Sequence, residues 1–233
     1  MKSKKIVSRF NLDQIKYLND NEIEDSYLIS EEQLYSAKLF QSREKYIYTL
    51  PKNIRYMEVG VAWGYYSKIV AEITNPASIH LLDLYNQENK CWAQRANEEC
   101  NCISENGHGY YNPDTHENFI KEKFSIYNNV LTLKGYALGI LKNIKNKYDY
   151  IYIDITNDRK STRDVIWESS KLIEVNGIMG INDYIIYDGI IDNKAYGTYQ
   201  SVNEFLHFNK NWIVDAIALH PIGFYDIYIR KIS

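Results

Sequence analysis

Ile54-Arg-Tyr-Met-Glu-Val-Gly-Val-Ala-Trp-Gly64 is the stretch on which the fold turns. Its first half is a short apolar run that stops at Gly60, the pattern of a buried strand. Beyond Gly64, the residues Tyr66, Ile69, Val70 and Ile73 recur at helical spacing. A strand that passes through a glycine-bearing turn into a helix opens a strand–helix–strand unit. The alternation continues down the chain. Ser78–Leu84 predicts a second strand, Val130–Leu133 a third, Tyr148–Asp154 a fourth and Gly177–Ile181 a fifth. Residues 161–175 predict a helix, with Asn176-Gly177 as its C-terminal stop. Such an order implies an α/β architecture: a doubly wound, Rossmann-like, mostly parallel sheet with helices on both faces. The tail differs. Residues 212–220 and 224–230 flank a turn holding Pro221 and Gly223, which predicts a C-terminal hairpin and an antiparallel sheet edge.

Two regions stand outside this alternation. Residues 1–50 contain neither glycine nor proline, and Ser30-Glu-Glu-Gln before Leu34 is a helix-start pattern. They predict an N-terminal helical cap on a main domain of residues 51–233. Residues 85–114 are polar and fit no strand–helix unit, so they read as an insertion after the second strand, a lid or substrate loop. That insertion holds Cys91, Cys100 and Cys102, whose spacing matches no standard zinc finger. An odd number of cysteines argues against a disulfide scaffold and for a reducing, cytoplasmic setting. The basic start of the chain leads into Asn11, Asp13 and Gln14, with no apolar segment of a signal peptide.

Composition excludes several classes. With 45% hydrophobic and 24% charged residues over 233 positions, the chain is neither disordered throughout nor fibrous. No apolar run reaches the roughly 18–20 residues that span a bilayer. The net charge of −3 offers no basic footprint for nucleic acid. Tyrosine is abundant, with 22 copies, and beside the many Lys, Asn and Ile residues this reads as the bias of an AT-rich genome.

The chemistry concentrates at Glu58-Val-Gly-Val-Ala-Trp-Gly64. Ligands of open parallel sheets bind at the carboxyl ends of the strands, near the point where strand order reverses. A dinucleotide fingerprint that begins at Gly60 requires glycine at positions 62 and 65, which are Ala62 and Tyr65. A phosphate loop requires Gly-Lys-Ser/Thr, which is missing. Asp83 ends the second strand, where a carboxylate can accept two vicinal hydroxyls. Glu58 is also suited to a helix N-terminus, Asp154, Asn182 and Asp183 are also turn formers, and Trp63, Tyr65 and Tyr66 offer either ring faces for a cation or core packing.

The acid-x-Gly-x-Ala-x-Gly pattern, with Asp83, Asp154 and the terminal hairpin, resembles the class I S-adenosylmethionine (SAM) dependent methyltransferases from about residue 50 onward. Asp149–Asp154, Asn176–Tyr184 and Tyr196–Phe205 further resemble the macrocin O-methyltransferase group, which methylates sugar hydroxyls. The resemblance implies cofactor contacts from Glu58, Gly60, Gly64, Asp83, Gly135, Tyr136 and Asp154. It implies Mg²⁺ or another divalent cation on Asp154, Asn182 and Asp183; Asp154 is a candidate to take the acceptor's proton, and His108 and His116, placed near the acceptor, are further base candidates. It further implies a small-molecule acceptor, a sugar or nucleotide-linked sugar, with no nucleic acid, no membrane span and a homo-oligomer as one arrangement. Two departures stand out: Asn182-Asp183 replaces the group's usual Asp-Asp, and Ile155-Thr156-Asn157 replaces its usual Gly-Asp-His. The rival readings are a metal-independent N- or O-methyltransferase of this fold and a catalytically silent cofactor-binding subunit.

Overall fold

The computed structural model describes residues 27–85, 113–188, 194–220 and 223–233. His108 and the three cysteines of the insertion lie outside the described residues. So does most of the insertion itself.

Eight strands form one sheet in the order β1-β9-β10-β6-β5-β2-β3-β4. The central four are β6 (Ile173–Ile181), β5 (Tyr148–Ile153), β2 (Arg55–Val59) and β3 (Ser78–Asp83), all parallel. β4 (Val130–Lys134) extends the parallel set beyond β3. On the other side, β10 (Tyr225–Lys231) runs antiparallel to both β6 and β9 (Trp212–Leu219), so the predicted hairpin is present. The hairpin does not close the sheet, because β1 (Lys38–Phe40) pairs in parallel with β9 and takes the edge. The N-terminal region is therefore only partly the helical cap its sequence predicts. Its helices α1 (Glu31–Leu34) and α2 (Arg43–Ile47) flank a strand too short to show periodicity. Ser30 caps α1 as expected, its hydroxyl accepting from the Gln33 amide.

Residues 161–175 also depart from expectation. The helix here, α6, covers Arg159–Ser170, and Asp158 caps its N-terminus. Ile173-Glu-Val already belongs to β6, where Ile173 pairs with Tyr148, and Ile178 pairs with Tyr150. Asn176, at φ 67°, and Gly177 lie in the irregularity between these pairs. The Asn-Gly signal marks a break in the backbone as read, but the break is a strand bulge.

Helices cover both faces. On one side α2, α3 (Tyr65–Thr74) and α4 (Pro113–Lys123) contribute Tyr46, Val70, Ile120 and Phe124. On the other, α5 (Ala137–Leu141), α6 and α7 (Thr198–Phe208) contribute Leu141, Val165, Ile166, Val202 and Phe205. A two-stranded ribbon, β7 (Tyr187–Asp188) with β8 (Lys194–Ala195), lies apart from the main sheet. The strand period of two divides the core cleanly. Tyr56, Tyr150, Tyr152 and Tyr228 project to the first face, and Met57, Ile151, Ile153, Ile227 and Ile229 to the second. The tyrosine excess thus has a structural use that genome bias does not describe. The rings of Tyr66 and Tyr152 stack at 3.6 Å, and those of Tyr46 and Tyr228 at 3.7 Å. Gly180 makes room for them, since a Cβ there would lie 2.8 Å from the Tyr152 ring and 2.9 Å from that of Tyr228. Among the described residues, no helix is long and apolar enough to cross a membrane.

Candidate active site at the strand ends

The carboxyl ends of β6, β5, β2 and β3 lie side by side, and backbone hydrogen bonds carry their alignment one step past each strand. Gly60 donates its N–H to Leu82 O (2.8 Å), Asp154 to Val59 O (2.8 Å), Asn182 to Ile153 O (3.0 Å) and Gly135 to Asp83 O (2.9 Å). The predicted glycine loop, Asp83, Asp154 and Asn182-Asp183 therefore converge on one crest. β2 is the strand from which the order runs outward to β3 and β4, and then back to β5 and β6, so the crest is the switch point.

The loop from Gly60 to Gly64 turns tightly. Gly60 has φ 88°, Ala62 φ 45° and Gly64 φ 68°. A Cβ on Gly60 would fall 1.7 Å from the Asp154 carbonyl oxygen, so only glycine lets the loop pass the end of β5. Asp83 organises this loop from the next strand. Its Oδ2 accepts from the Val61 and Ala62 amides at 2.7 and 2.9 Å, and its Oδ1 accepts from Tyr85 at 2.9 Å. Both lone pairs of Oδ2 are thereby engaged, and Oδ1 keeps acceptor capacity. The two-oxygen arrangement expected for Asp83 is not preset in this conformation; one oxygen is ready for a ligand.

Helix α4 fastens the loop from the opposite side. His116 and Lys123, two turns apart on one face, reach successive loop carbonyls: His116 Nε2 donates to Ala62 O at 2.7 Å and Lys123 Nζ to Trp63 O at 2.6 Å. His116 is fully buried between Trp63 and Tyr85, and among the described residues its Nδ1 has no hydrogen-bond partner. Burial pulls the Lys123 ammonium down to about 8. Of the aromatic residues after Gly60, Trp63 and Tyr66 are committed to packing and Tyr65 is exposed. Trp63 is buried against His116 and Phe119, Tyr66 stacks on Tyr152, and the Tyr65 ring face carries Lys123 at 3.9 Å.

Glu58 lies below the loop. It is 2% exposed and accepts hydrogen bonds from Ser67 of α3 and from Tyr56. Burial pushes its carboxyl up to about 8, despite the help of the Ser67 hydroxyl, so near neutrality it is largely protonated. Beyond β4, Gly135 (φ 146°) precedes Tyr136, whose ring is exposed at the rim of the crest.

The ends of β5 and β6 hold a polar cluster that sequence reading recognised only in part. Asn182 Nδ2 donates to Asp154 Oδ1 at 3.0 Å, and Asn157 Nδ2 to Asp183 Oδ2 at 3.4 Å. Two further residues join from elsewhere, Asp226 of β10 and Arg43 of α2. Tyr152 links them: its hydroxyl accepts from Arg43 Nη1 at 3.3 Å, donates to Asp226 Oδ2 at 2.8 Å and lies 3.2 Å from Asn182 Oδ1. Burial raises Asp154 to about 6 and Asp183 to about 8, while the Arg43 guanidinium draws both back down. Asp226 shares a strand face with Tyr228, two residues on, and that parity was the signal that could have marked it as buried. Arg43 had no such signal.

This donor set does not fit a divalent cation. Hard cations take oxygen ligands, yet Asn182 turns its amide nitrogen to Asp154 and its oxygen to Tyr152. Among the described residues, no three His, Cys, Asp or Glu side chains are grouped to hold a metal. The expected assignment of a metal to Asp154, Asn182 and Asp183 thus lacks support from the side-chain arrangement.

No family model matches the chain, and no curated protein does. Solved structures do. An O-methyltransferase from Streptomyces achromogenes involved in tomaymycin synthesis, in complex with SAM, superposes with a TM-score of 0.55 at 12% identity, over 96% of this chain and 91% of its own. The chain has the Rossmann-like methyltransferase fold. An O-methyltransferase from Bacillus cereus, in complex with SAH, shares that fold at a TM-score of 0.53 and 17% identity, over 93% of this chain and 96% of its own. An rRNA methylase from Streptococcus thermophilus does so at 0.53 and 9%, over 82% and 94%.

Proposed function

We propose that the chain is a SAM-dependent methyltransferase acting on a hydroxyl of a small molecule. The observation that carries this is the alignment of the glycine loop, Asp83 and Asp154 at one switch point, in a methyltransferase fold whose solved examples include complexes with SAM and SAH. The residues present suit that cofactor: a loop with its amides ordered by Asp83, a carboxylate oxygen with spare acceptor capacity, and an exposed ring at Tyr136. When bound, SAM supplies an electrophilic methyl group. The chain's own residues do the rest. Gly60–Gly64, Asp83 and Gly135-Tyr136 hold the cofactor, while His116 and Lys123 keep the loop in shape. Asp154, with its carboxyl near 6, is largely ionised at neutral pH and takes the proton of the acceptor hydroxyl. Most of the acceleration comes from aligning the acceptor oxygen with the methyl group and excluding water. The resemblance to the macrocin group supports a sugar acceptor, and the net charge of −3 gives nucleic acid no footing.

Calorimetry with SAM tests the reading. Binding is expected in the micromolar range, about −8 kcal/mol. Asp83→Ala should weaken it by about 1.5–3 kcal/mol, the worth of hydrogen bonds to a charged group. No binding by the wild type overturns the proposal. A mass-spectrometric screen of sugar nucleotides with SAM then identifies the acceptor class.

A further inference from the structure

Arg43 enters the site from α2, outside every strand–helix unit of the sheet. Its guanidinium carbon lies 5.7 Å from the centre of the Tyr66 ring, and its Nη1 reaches the Tyr152 hydroxyl. From there, the Tyr152 hydroxyl donates its one proton to Asp226 and lies 3.2 Å from Asn182 Oδ1, and Asn182 Nδ2 in turn donates to Asp154. Two carboxyl groups, Asp154 and Asp226, thus lie beside this Tyr152 junction with one guanidinium, and Asp183 feels all three electrostatically. A dication placed among them would be repelled by that positive charge, which already acts on all three. For Asn182 to offer its oxygen to the same ion as Asp154, its amide would have to turn over.

We propose that Arg43, seated behind the Tyr152 hydroxyl, is the resident cation of this corner, and that the site works without the divalent metal ion that the sequence pattern predicts. The electrostatics agree: the guanidinium lowers the carboxyls of Asp154, Asp183 and Asp226 against their burial. Of the other charged groups facing the corner, Asp83 bears on Asp154 and Glu44 on Asp226, and both are acidic. Arg43 is thus a positioning residue that keeps Asp154 and Asn182 in register. The inference rests on the proposed function only in naming Asp154 the base, and its test reads no turnover.

The test is a titration of the chelator-treated, full-length protein with MnCl₂, followed by the electron paramagnetic resonance signal of free Mn²⁺. No uptake tighter than about 1 mM is expected, the range of weak oxygen sites. Arg43→Met should melt at a lower temperature than the wild type, and Arg43→Lys should recover most of the loss. Millimolar Mn²⁺ should raise the melting temperature of Arg43→Met and leave that of the wild type unchanged, because only the variant lacks a cation. Wild-type uptake that Asp154→Asn abolishes overturns the inference, as does an Arg43→Met protein that melts like the wild type. Uptake that survives Asp154→Asn lies elsewhere and leaves this corner metal-free, as proposed. If Arg43→Met fails to fold, the wild-type titration decides alone. SAM calorimetry on the same samples separates failure of the functional reading, which loses cofactor binding, from failure of this one, which does not.

Discussion

The two faces of the central sheet are built from the same strands and obey different rules. On one, Met57, Ile151, Ile153, Met179, Ile227 and Ile229 form an aliphatic layer in which shape and dry contact supply the stability. On the other, Tyr56, Tyr66, Tyr150, Tyr152 and Tyr228 bury five hydroxyls that must find partners. They find them in one another and in two buried carboxyls. Tyr66 and Tyr150 meet at 2.5 Å, Tyr56 and Ser67 bond to Glu58, and Tyr152 and Tyr228 bond to Asp226. The comparison teaches that the candidate site grows out of the wet face. The hydroxyl that satisfies Asp226 is also the one that accepts from Arg43 and lies 3.2 Å from Asn182 Oδ1, so core packing and site geometry share atoms.

The comparison is broken most strongly on the dry face. Ile151→Ala leaves a cavity in a close-packed layer and should cost about 2–5 kcal/mol in denaturant unfolding. SAM affinity should be nearly unchanged, since nothing polar is displaced. A cost below about 1 kcal/mol, or a large loss of cofactor affinity, would erase the distinction between the faces.

Comparable in size is a pH effect confined to the wet face. The folded-state carboxyl of Glu58 is raised from 4.5 to about 8. Between those values the folded protein keeps a proton that the unfolded chain has released. The contribution is therefore fully present below about pH 4.5 and is lost as pH rises through about 8, at roughly 1.4 kcal/mol per pKa unit. Unfolding free energies measured from pH 5 to 9 should fall more steeply for the wild type than for Glu58→Gln, which has no proton to lose. Parallel curves would show that Glu58 is ionised in the fold.

The smallest effect sharpens the comparison. Tyr66→Phe and Tyr150→Phe should each cost about 1 kcal/mol, because each leaves the partner hydroxyl unsatisfied. The double variant should cost little more than either single one, since both hydroxyls are then gone. Additive costs in a double-mutant cycle would mean that the two hydroxyls are not partners.

Legibility in the sequence followed the range of the interactions. Strands β2, β3 and β5 show as apolar runs because both of their faces are buried, and the glycine loop, Asp83 and Asp154 show because they sit where such runs stop. The start of β6 was hidden: Ile173-Glu-Val continues the apolar pattern of α6, and only pairing with Tyr148 makes it a strand. β1 is three residues long and has no partner until β9 is made. Asp226 drew no reading because a carboxylate in a hairpin strand breaks the apolar pattern, whereas β6 and β9 on its two sides make it internal. Arg43 depends on contacts more than a hundred positions away, which no local pattern reports.

The edge strand β1 has a consequence for synthesis. Lys38, Leu39 and Phe40 pair with Ala216, Ile217 and Ala218, and the Gln33 side chain of the same segment donates to the Leu206 and Trp212 carbonyls. A chain emerging from the ribosome exposes the first of these partners long before the second exists. The N-terminal segment waits until residues 212–219 are made, and closing so long a loop is slow. A circular permutant that carries residues 27–50 after residue 233 would bring β1 and Arg43 to their partners almost at once. The pairing of β1 with β9 is also what brings the acidic corner its positive charge.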